Sequence, residues 1–185
     1  MRAPAGALAG LAIWAVAGAG CGVVGDSFRL SDAQQVVADM KLGPSELRII
    51  GAVDHADRTY RVGEPIGLSA ELNNTANLAV LRVLPNGATT LLFPSNEHPS
   101  AEVPANTAVK IGGGAIEKPG TVLFKLIGAK SGDSFLFDKK RAEEGTHAEL
   151  GATTRALSKE ILMSLKPGPA RETAAAHIVV RVEAP

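Results

Sequence analysis

One loop of the chain contains the residue types of a nucleophile and a base. Ser95, Glu97 and His98 lie close together in the sequence, and a serine paired with a histidine base is the core of many acyl-transfer sites. The serine lacks the G-x-S-x-G pattern that exposes a nucleophile at a strand-to-helix turn. Adjacent residues of one loop also do not build a triad, whose members converge from separate positions. The loop therefore predicts no catalytic site.

A second group has the chemistry of metal ligands. Asp54, His55 and Asp57 occur in one short polar stretch, but the D-H-x-D pattern between apolar runs is typical of a turn, and we predict a turn here. None of the histidines has an H-E-x-x-H, H-x-H or i, i+4 partner; they are His55, His98, His147 and His177. We therefore predict no metal site.

Two glycine-containing stretches have some features of phosphate-binding loops. The run Gly112–Gly114 is not followed by Lys-Ser or Lys-Thr, and 128–131 lacks the glycine that should precede its lysine. Phosphate binding of this kind requires backbone amides and a lysine at the start of a helix. The sequence thus predicts no nucleotide site, no cofactor and no catalytic residue.

Cys21, the single cysteine, directly follows an apolar N-terminal stretch. One positive charge, an apolar middle and small residues at the end are typical of a secretory signal peptide, which we place at 1–20. Ala19-Gly20-Cys21 resembles the end of a bacterial lipobox, so we predict lipidation of Cys21 and a tether at 21–30. Several acyl chains would anchor the protein stably. Gly22 after the cysteine favours the outer membrane, facing the periplasm, in a Gram-negative host.

An alternative remains for the same region. Gly18 stands where lipoproteins usually have an aliphatic residue, and cleavage after Ala19 would also satisfy an A-x-A rule. In that case Cys21 would be a free thiol in an oxidising compartment, where it could pair with other proteins.

The rest of the chain has the pattern of short strands. The stretch 66–72 alternates apolar and polar residues, whereas 78–84 is almost continuously apolar and predicts a strand buried on both faces. Asn86-Gly87 predicts a hairpin between 78–84 and 88–93. Further strands are predicted at 47–53, 60–62, 109–111, 121–127 and 177–182.

Two short helices complete the pattern. Ser31 and Gln34 form a predicted capping box, and Leu157, Ile161 and Leu165 lie on one stripe of a second helix. Short strands separated by Gly, Pro and Asn turns indicate a mainly β domain over 31–185, an antiparallel β-sandwich or partly open barrel. The 19 basic and 19 acidic residues balance, so no nucleic-acid partner is expected.

The middle of the chain resembles a bacterial family of unknown function. The resemblance covers about 60–131 and rests on four segments, Tyr60–Ile66, Leu81–Gly87, Thr90–Pro94 and Pro119–Phe124. They match a G-E-x-I strand entry, an N/D-G hairpin, an L-F-P box and a P-x-G-x-x-x-hydrophobic segment. Members of that family occur as envelope lipoproteins and fused to kinase-like or caspase-like domains. The resemblance implies a recognition or accessory module and supplies no catalytic residues.

The loop after the L-F-P box is the predicted binding region, because loops on a rigid scaffold commonly carry function. Its candidate residues are Phe93, Pro94, Ser95, Asn96 and His98. For Phe93 and Pro94 core packing and strand termination are alternative interpretations.

The functional prediction is a non-enzymatic envelope lipoprotein, anchored in the membrane through Cys21, that binds another envelope protein. The first alternative is a periplasmic protein that binds cell-wall material or small molecules. The second is an unrecognised hydrolase, which predicts a cleft with convergent carboxylates or a Ser–His contact.

Overall fold

The structure is a computed structural model that describes residues 28–42, 45–130, 134–137, 148–149, 154–165 and 172–184. The predicted signal peptide, Cys21 and the first part of the predicted tether lie outside these residues, as does His147. The division of the chain into 1–20, 21–30 and 31–185 stays a prediction.

The described residues form ten strands and two α-helices. The helices are α1 (Asp32–Ala38) and α2 (Thr154–Ser164), and Phe135–Phe137 is a 3₁₀ helix. The first five strands are β1 (Ile49–Val53), β2 (Thr59–Arg61), β3 (Pro65–Leu72), β4 (Ala76–Val83) and β5 (Thr89–Phe93). The other five are β6 (Glu102–Val103), β7 (Val109–Ala115), β8 (Gly120–Ala129), β9 (Ala148–Glu149) and β10 (Thr173–Glu183).

These strands form two sheets. One has three strands in the order β1-β3-β7, and the other has the order β2-β10-β8-β4-β5-β9, with β6 paired to β4. All pairs are antiparallel except β2 with β10, which is parallel. The predicted mainly β fold is confirmed: the described residues form two sheets, mostly antiparallel, with two helices and no closed barrel.

The hydrophobic pattern of two strands matches their positions. β3 alternates between buried and partly exposed residues, as the period-two pattern predicts. β4 lies between β8 and β5, and most of its residues are buried because both of its faces are covered. Its two faces contribute to different cores, with Leu78 and Val80 on one side and Leu81 and Val83 on the other.

The two cores define three layers. The first core lies between the sheets, where Gly51 permits close approach: a Cβ there would lie 2.9 Å from Ile178 Cδ1. The second core lies between the other face of the larger sheet and the helices, and contains Leu157 and Ile161 of α2 together with Leu123 of β8. The predicted apolar stripe of the second helix is thereby confirmed. The helices cover one face of the larger sheet, and the smaller sheet covers the other.

The predicted hairpin between β4 and β5 is present, but its turn differs from a two-residue turn at Asn86-Gly87. Leu84 N donates to Ala88 O (2.9 Å), and Gly87 N donates to Leu84 O (2.9 Å). Only Gly87 of the pair has a positive φ, of 87°. Pro85 explains the difference, because it has no N–H to close a two-residue loop and favours the first central position of a type I turn. The result is a three-residue loop with a bulge at glycine.

The run Gly112–Gly114 does not end a strand, as the sequence had predicted, but lies inside β7. A Cβ at Gly113 would lie 3.0 Å from Ile66 O, and one at Gly114 would lie 2.8 Å from Arg82 Nη1. Arg82 Nη1 also donates to Gly113 O (3.0 Å). The glycines therefore allow close approach of neighbouring groups, which is one established reason for glycine within a strand.

Two buried polar side chains hold α1 against the larger sheet. The predicted capping box is present, and Gln34 also donates through Nε2 to Val83 O (2.9 Å) and Thr121 O (2.8 Å). Lys125 Nζ donates to Ala38 O (3.0 Å) and Met40 O (3.1 Å), at the other end of α1. Both ends of this short helix are thus bonded to central strands. In the part of the chain that the structure describes, no helix is long and apolar enough to cross a membrane.

Candidate functional site

The predicted binding loop forms a compact turn at the end of β5. Phe93, Pro94 and Ser95 are buried, whereas Asn96 and His98 are exposed. Ser95 N donates to His98 O (2.9 Å), and His98 N donates to Ser95 O (3.1 Å). The Phe93 and His98 rings lie 5.9 Å apart with a tilt of 42°. The structure thus brings the five residues together, and the turn presents an amide and an imidazole to solvent.

Ser95 has no contact with the His98 ring that resembles a nucleophile–base pair. Its Oγ accepts a hydrogen bond from the backbone N of His98 (3.3 Å). A base acts on a nucleophile only within hydrogen-bond distance of its proton. The role of these residues in binding stays a prediction.

A more extensive polar network lies at the predicted turn after β1. Tyr60 OH donates to Asp54 Oδ1 (2.5 Å), and Gly67 N donates to the same oxygen (3.1 Å). His55 stacks on Tyr60 with the ring centroids 4.4 Å apart. His55 Nδ1 donates to Thr59 O (2.8 Å), since a carbonyl only accepts. The predicted turn is confirmed, and its network connects the turn to β2 and β3.

The pKa shifts follow from these contacts. The hydrogen bond from Tyr60 lowers the pKa of Asp54, and burial raises the pKa of Tyr60 to about 12, assisted by the hydrogen bond to Asp54. The hydrogen bond to Thr59 O raises the pKa of His55. Its other nitrogen, Nε2, lies 3.3 Å from Glu64 Oε1. A protonated imidazole therefore has an acceptor at each nitrogen.

The carboxylates of this turn are engaged in hydrogen bonds and are not arranged as metal ligands. Asp57 Oδ1 accepts from Thr59 N (3.1 Å), as in an Asx turn, and Asp54 is bonded to Tyr60. Across the described ranges, no group of three or more His, Cys, Asp and Glu side chains could hold a metal ion.

Lys125 is a buried cation that the sequence analysis missed. It is 2% exposed, and burial lowers its pKa to about 8, while the Asp39 carboxylate acts in the opposite direction. His177 pairs with it across β8 and β10. Burial lowers the pKa of His177, and the nearby Lys125 charge lowers it further. A single lysine within the apolar run of β8 was the available signal, but the sequence alone did not show that the helix end would accept its hydrogen bonds.

Two concave surfaces flank α1. The first, of about 880 Å³, lies between residues 28–30, the turn at 56–58 and β10, and its charges are mixed, with Arg29 and Arg58 beside Asp32 and Asp57.

The second concave surface, of about 640 Å³, lies between α1 and α2; we call it the α1–α2 groove. Val36, Met40, Leu162 and Met163 contribute apolar side chains to it, and Ser158 also lines it. Sequence reasoning missed the groove, because its two walls are more than a hundred residues apart in the chain. The helical positions of Leu162 and Met163, beside the apolar stripe of α2, predict that these residues are exposed (40% and 58%). The sequence does not predict that α1 lies next to them.

The outer edge of the smaller sheet, formed by β1, is another candidate interaction surface. Asp54 N donates to Gly67 O, and Asn73 N donates to Arg48 O. These two hydrogen bonds show that the even-numbered residues of β1 are the ones whose backbone groups bond to β3. Because bonding alternates along an antiparallel strand, the backbone groups of 49, 51 and 53 point away from β3. No described strand pairs with this edge of β1. Ile50 on the same strand is 68% exposed.

Comparison with known proteins identifies the central region. Residues 59–121 match a family described as Domain of unknown function (DUF4384), so this part of the chain is a DUF4384 domain. It runs from β2 to the beginning of β8 and contains the β4–β5 hairpin and the predicted binding loop. The predicted resemblance to a domain of unknown function is thereby confirmed over these residues. No curated protein and no solved structure matches the chain significantly.

Proposed function

We propose that the protein is a non-enzymatic envelope lipoprotein, anchored at Cys21 in the outer membrane, whose β-rich domain binds another envelope protein. The apolar N-terminal stretch ending at a cysteine supports the anchor. The observation that carries the binding function is the outer edge of β1, with which no described strand pairs, together with the exposed Ile50 on the same strand.

An unpaired edge supports protein binding because its backbone N–H and C=O groups can accept a further strand. Natural sheets usually protect such edges with charged residues, proline or a covering element. β1 has the sequence Ile-Ile-Gly-Ala-Val and contains none of these residues. Strand addition uses main-chain hydrogen bonds for affinity and alternate side chains for specificity. Ile50 would contribute an apolar side-chain contact, and so would contribute to specificity.

The binding proposal can be tested by photo-crosslinking in the native envelope. A photoreactive residue at position 52, on the exposed face of β1, should give one discrete adduct in the wild-type background. Ile50→Lys introduces a charge of the kind that protects natural edges, and should reduce the adduct at least about tenfold. Ala108→Lys is the control, because it introduces the same charge at an exposed apolar residue outside β1 and should leave the adduct unchanged. Equal yields in the two variants, or no discrete adduct, would contradict the proposal.

The anchor is tested separately by intact mass of the protein extracted from native membranes. We expect a mature chain that begins at Cys21 and carries acyl groups, and loss of those groups in Cys21→Ala. An unmodified chain beginning at Gly20 would rule out the anchor and favour a soluble periplasmic protein with a free thiol.

A further inference from the structure

The α1–α2 groove has the composition of a small-molecule site. Its volume of about 640 Å³ falls within the range usual for ligand pockets, roughly 300–1,000 Å³. Apolar side chains line both walls, with Val36 and Met40 on the α1 side and Leu162 and Met163 on α2. Methionine side chains adapt their shape to a bound apolar group.

One polar group of this groove is buried and lacks a partner. Ser158 is 6% exposed, and its Oγ has no hydrogen-bond partner among the described residues. An unsatisfied buried hydroxyl is destabilising, so native proteins rarely retain one without a reason. Ser158 lines the groove, so a rotation of its side chain would bring the buried hydroxyl within reach of an oxygen atom of a bound ligand.

The charged residues of the groove favour an anionic ligand. Lys41, Arg155 and Lys159 are exposed at its rim, against one acidic residue, Asp39. Arg155, Ser158, Lys159 and Leu162 follow the i, i+3, i+4, i+7 spacing of one helix face. Along this face of α2, Arg155 therefore comes first, then the unpartnered hydroxyl of Ser158 beside Lys159, then the apolar side chain of Leu162.

We propose that the α1–α2 groove binds a free single-chain amphiphile with a carboxylate headgroup, of the fatty-acid class. The carboxylate lies near Arg155 and Lys159 and accepts a hydrogen bond from Ser158 Oγ. The aliphatic chain lies along Met40, Leu162 and Met163. A flat bilayer surface fits less well, because it would contact the exposed rim but not the buried Ser158 hydroxyl. This site is independent of the β1 edge proposed for protein binding.

Methyl NMR offers a direct test, because the only methionines are Met1, Met40 and Met163 and the last two line the groove. The exported Cys21→Ala chain, labelled at methionine methyls, is titrated with dodecanoate below its micelle concentration. We expect saturable shifts of the Met40 and Met163 signals. Dodecyltrimethylammonium and dodecyl maltoside have alkyl tails of nearly the same length, and should bind at least about tenfold more weakly because they lack the anionic headgroup.

Variants separate the headgroup site from general effects. Arg155→Glu combined with Lys159→Glu should weaken dodecanoate binding at least about tenfold, whereas Lys110→Glu, an exposed control on β7, should not. Ser158→Ala should weaken binding several-fold without loss of thermal stability, since it removes an unsatisfied hydroxyl. The proposal is overturned if dodecanoate causes no saturable shift, if the three headgroups bind equally, or if only phosphatidylglycerol vesicles shift the signals. Displacement of the Met163 signal by a protein partner alone would also overturn it.

Discussion

The buried lysine of β8 predicts an unusual increase of stability at alkaline pH. The pKa of Lys125 is about 8 in the folded protein, and an unfolded lysine has a pKa of about 10.5. Below pH 8 both states are protonated, and the cost of burying the charge is fully present. Between pH 8 and 10.5 the folded state releases the proton first, so the unfolded state binds more protons and the free energy of unfolding rises with pH.

The size of this effect follows from the same two pKa values. For a single group that titrates at about 8 in the folded state and about 10.5 in the unfolded state, linkage gives an increase of about 2 kcal/mol between pH 7 and pH 9.5. Above pH 10 the raised pKa of Tyr60 acts in the opposite direction, because the unfolded state then releases the phenol proton first. The two slopes cancel at about pH 10, so the maximum of stability should lie there.

Urea unfolding followed by far-UV circular dichroism at pH 7 to 9.5 measures this increase. Lys125→Met removes the titrating amine, so its free energy of unfolding should lack the rise of about 2 kcal/mol. Lys110→Met replaces an exposed lysine and should retain the rise. A wild-type curve that is flat or falls in this range, or an equal rise in Lys125→Met, would refute the assignment of the effect to Lys125.

Two further predictions concern buried contacts, each with a control one or two positions away in the chain. Gln34→Ala leaves two strand carbonyls without their donor and should lower the free energy of unfolding by about 2–4 kcal/mol. Gln35→Ala, on the exposed side of α1, should change it by less than about 0.5 kcal/mol. Similar effects of the two substitutions would contradict the buried contacts of Gln34. Gly114→Ala places a side chain at φ 72° against Arg82 and should lower it by about 1–3 kcal/mol. Gly112→Ala, with no atom within 4 Å of the new Cβ, should be neutral or slightly stabilising, and equal losses at both glycines would argue against strain at Gly114. Chemical denaturation measures all four.

Local sequence patterns predicted much of the fold because they encode burial directly. The alternation in β3, the continuous apolar run of β4 and the Ser31–Gln34 capping box each specify an element without reference to distant residues. The turn after β4 was harder to predict from the sequence, because Pro85 changes the turn geometry that Asn86-Gly87 alone would favour.

Features that depend on distant contacts could not be predicted in this way. Lys125 resembles an interruption of an apolar strand until the end of α1 supplies two carbonyl acceptors. The Gly112–Gly114 run resembles a loop until Arg82 and Ile66 occupy the space of the missing side chains. The α1–α2 groove requires two helices from opposite ends of the chain. The candidate loop at Phe93–His98 could be located from the sequence because its residues are contiguous.

The position of Tyr60 makes it a natural fluorescent probe of the folded domain. It is the only tyrosine, and the only tryptophan, Trp14, lies in the predicted signal peptide. Without that segment, the strongest ultraviolet emitter of the chain would be the phenol of Tyr60, which donates to a carboxylate and stacks on an imidazole. Both neighbours quench such emission, so the native fluorescence should be weak and should brighten when Asp54 is protonated. A binding event that disturbs the beginning of the DUF4384 domain could then be followed without any added dye.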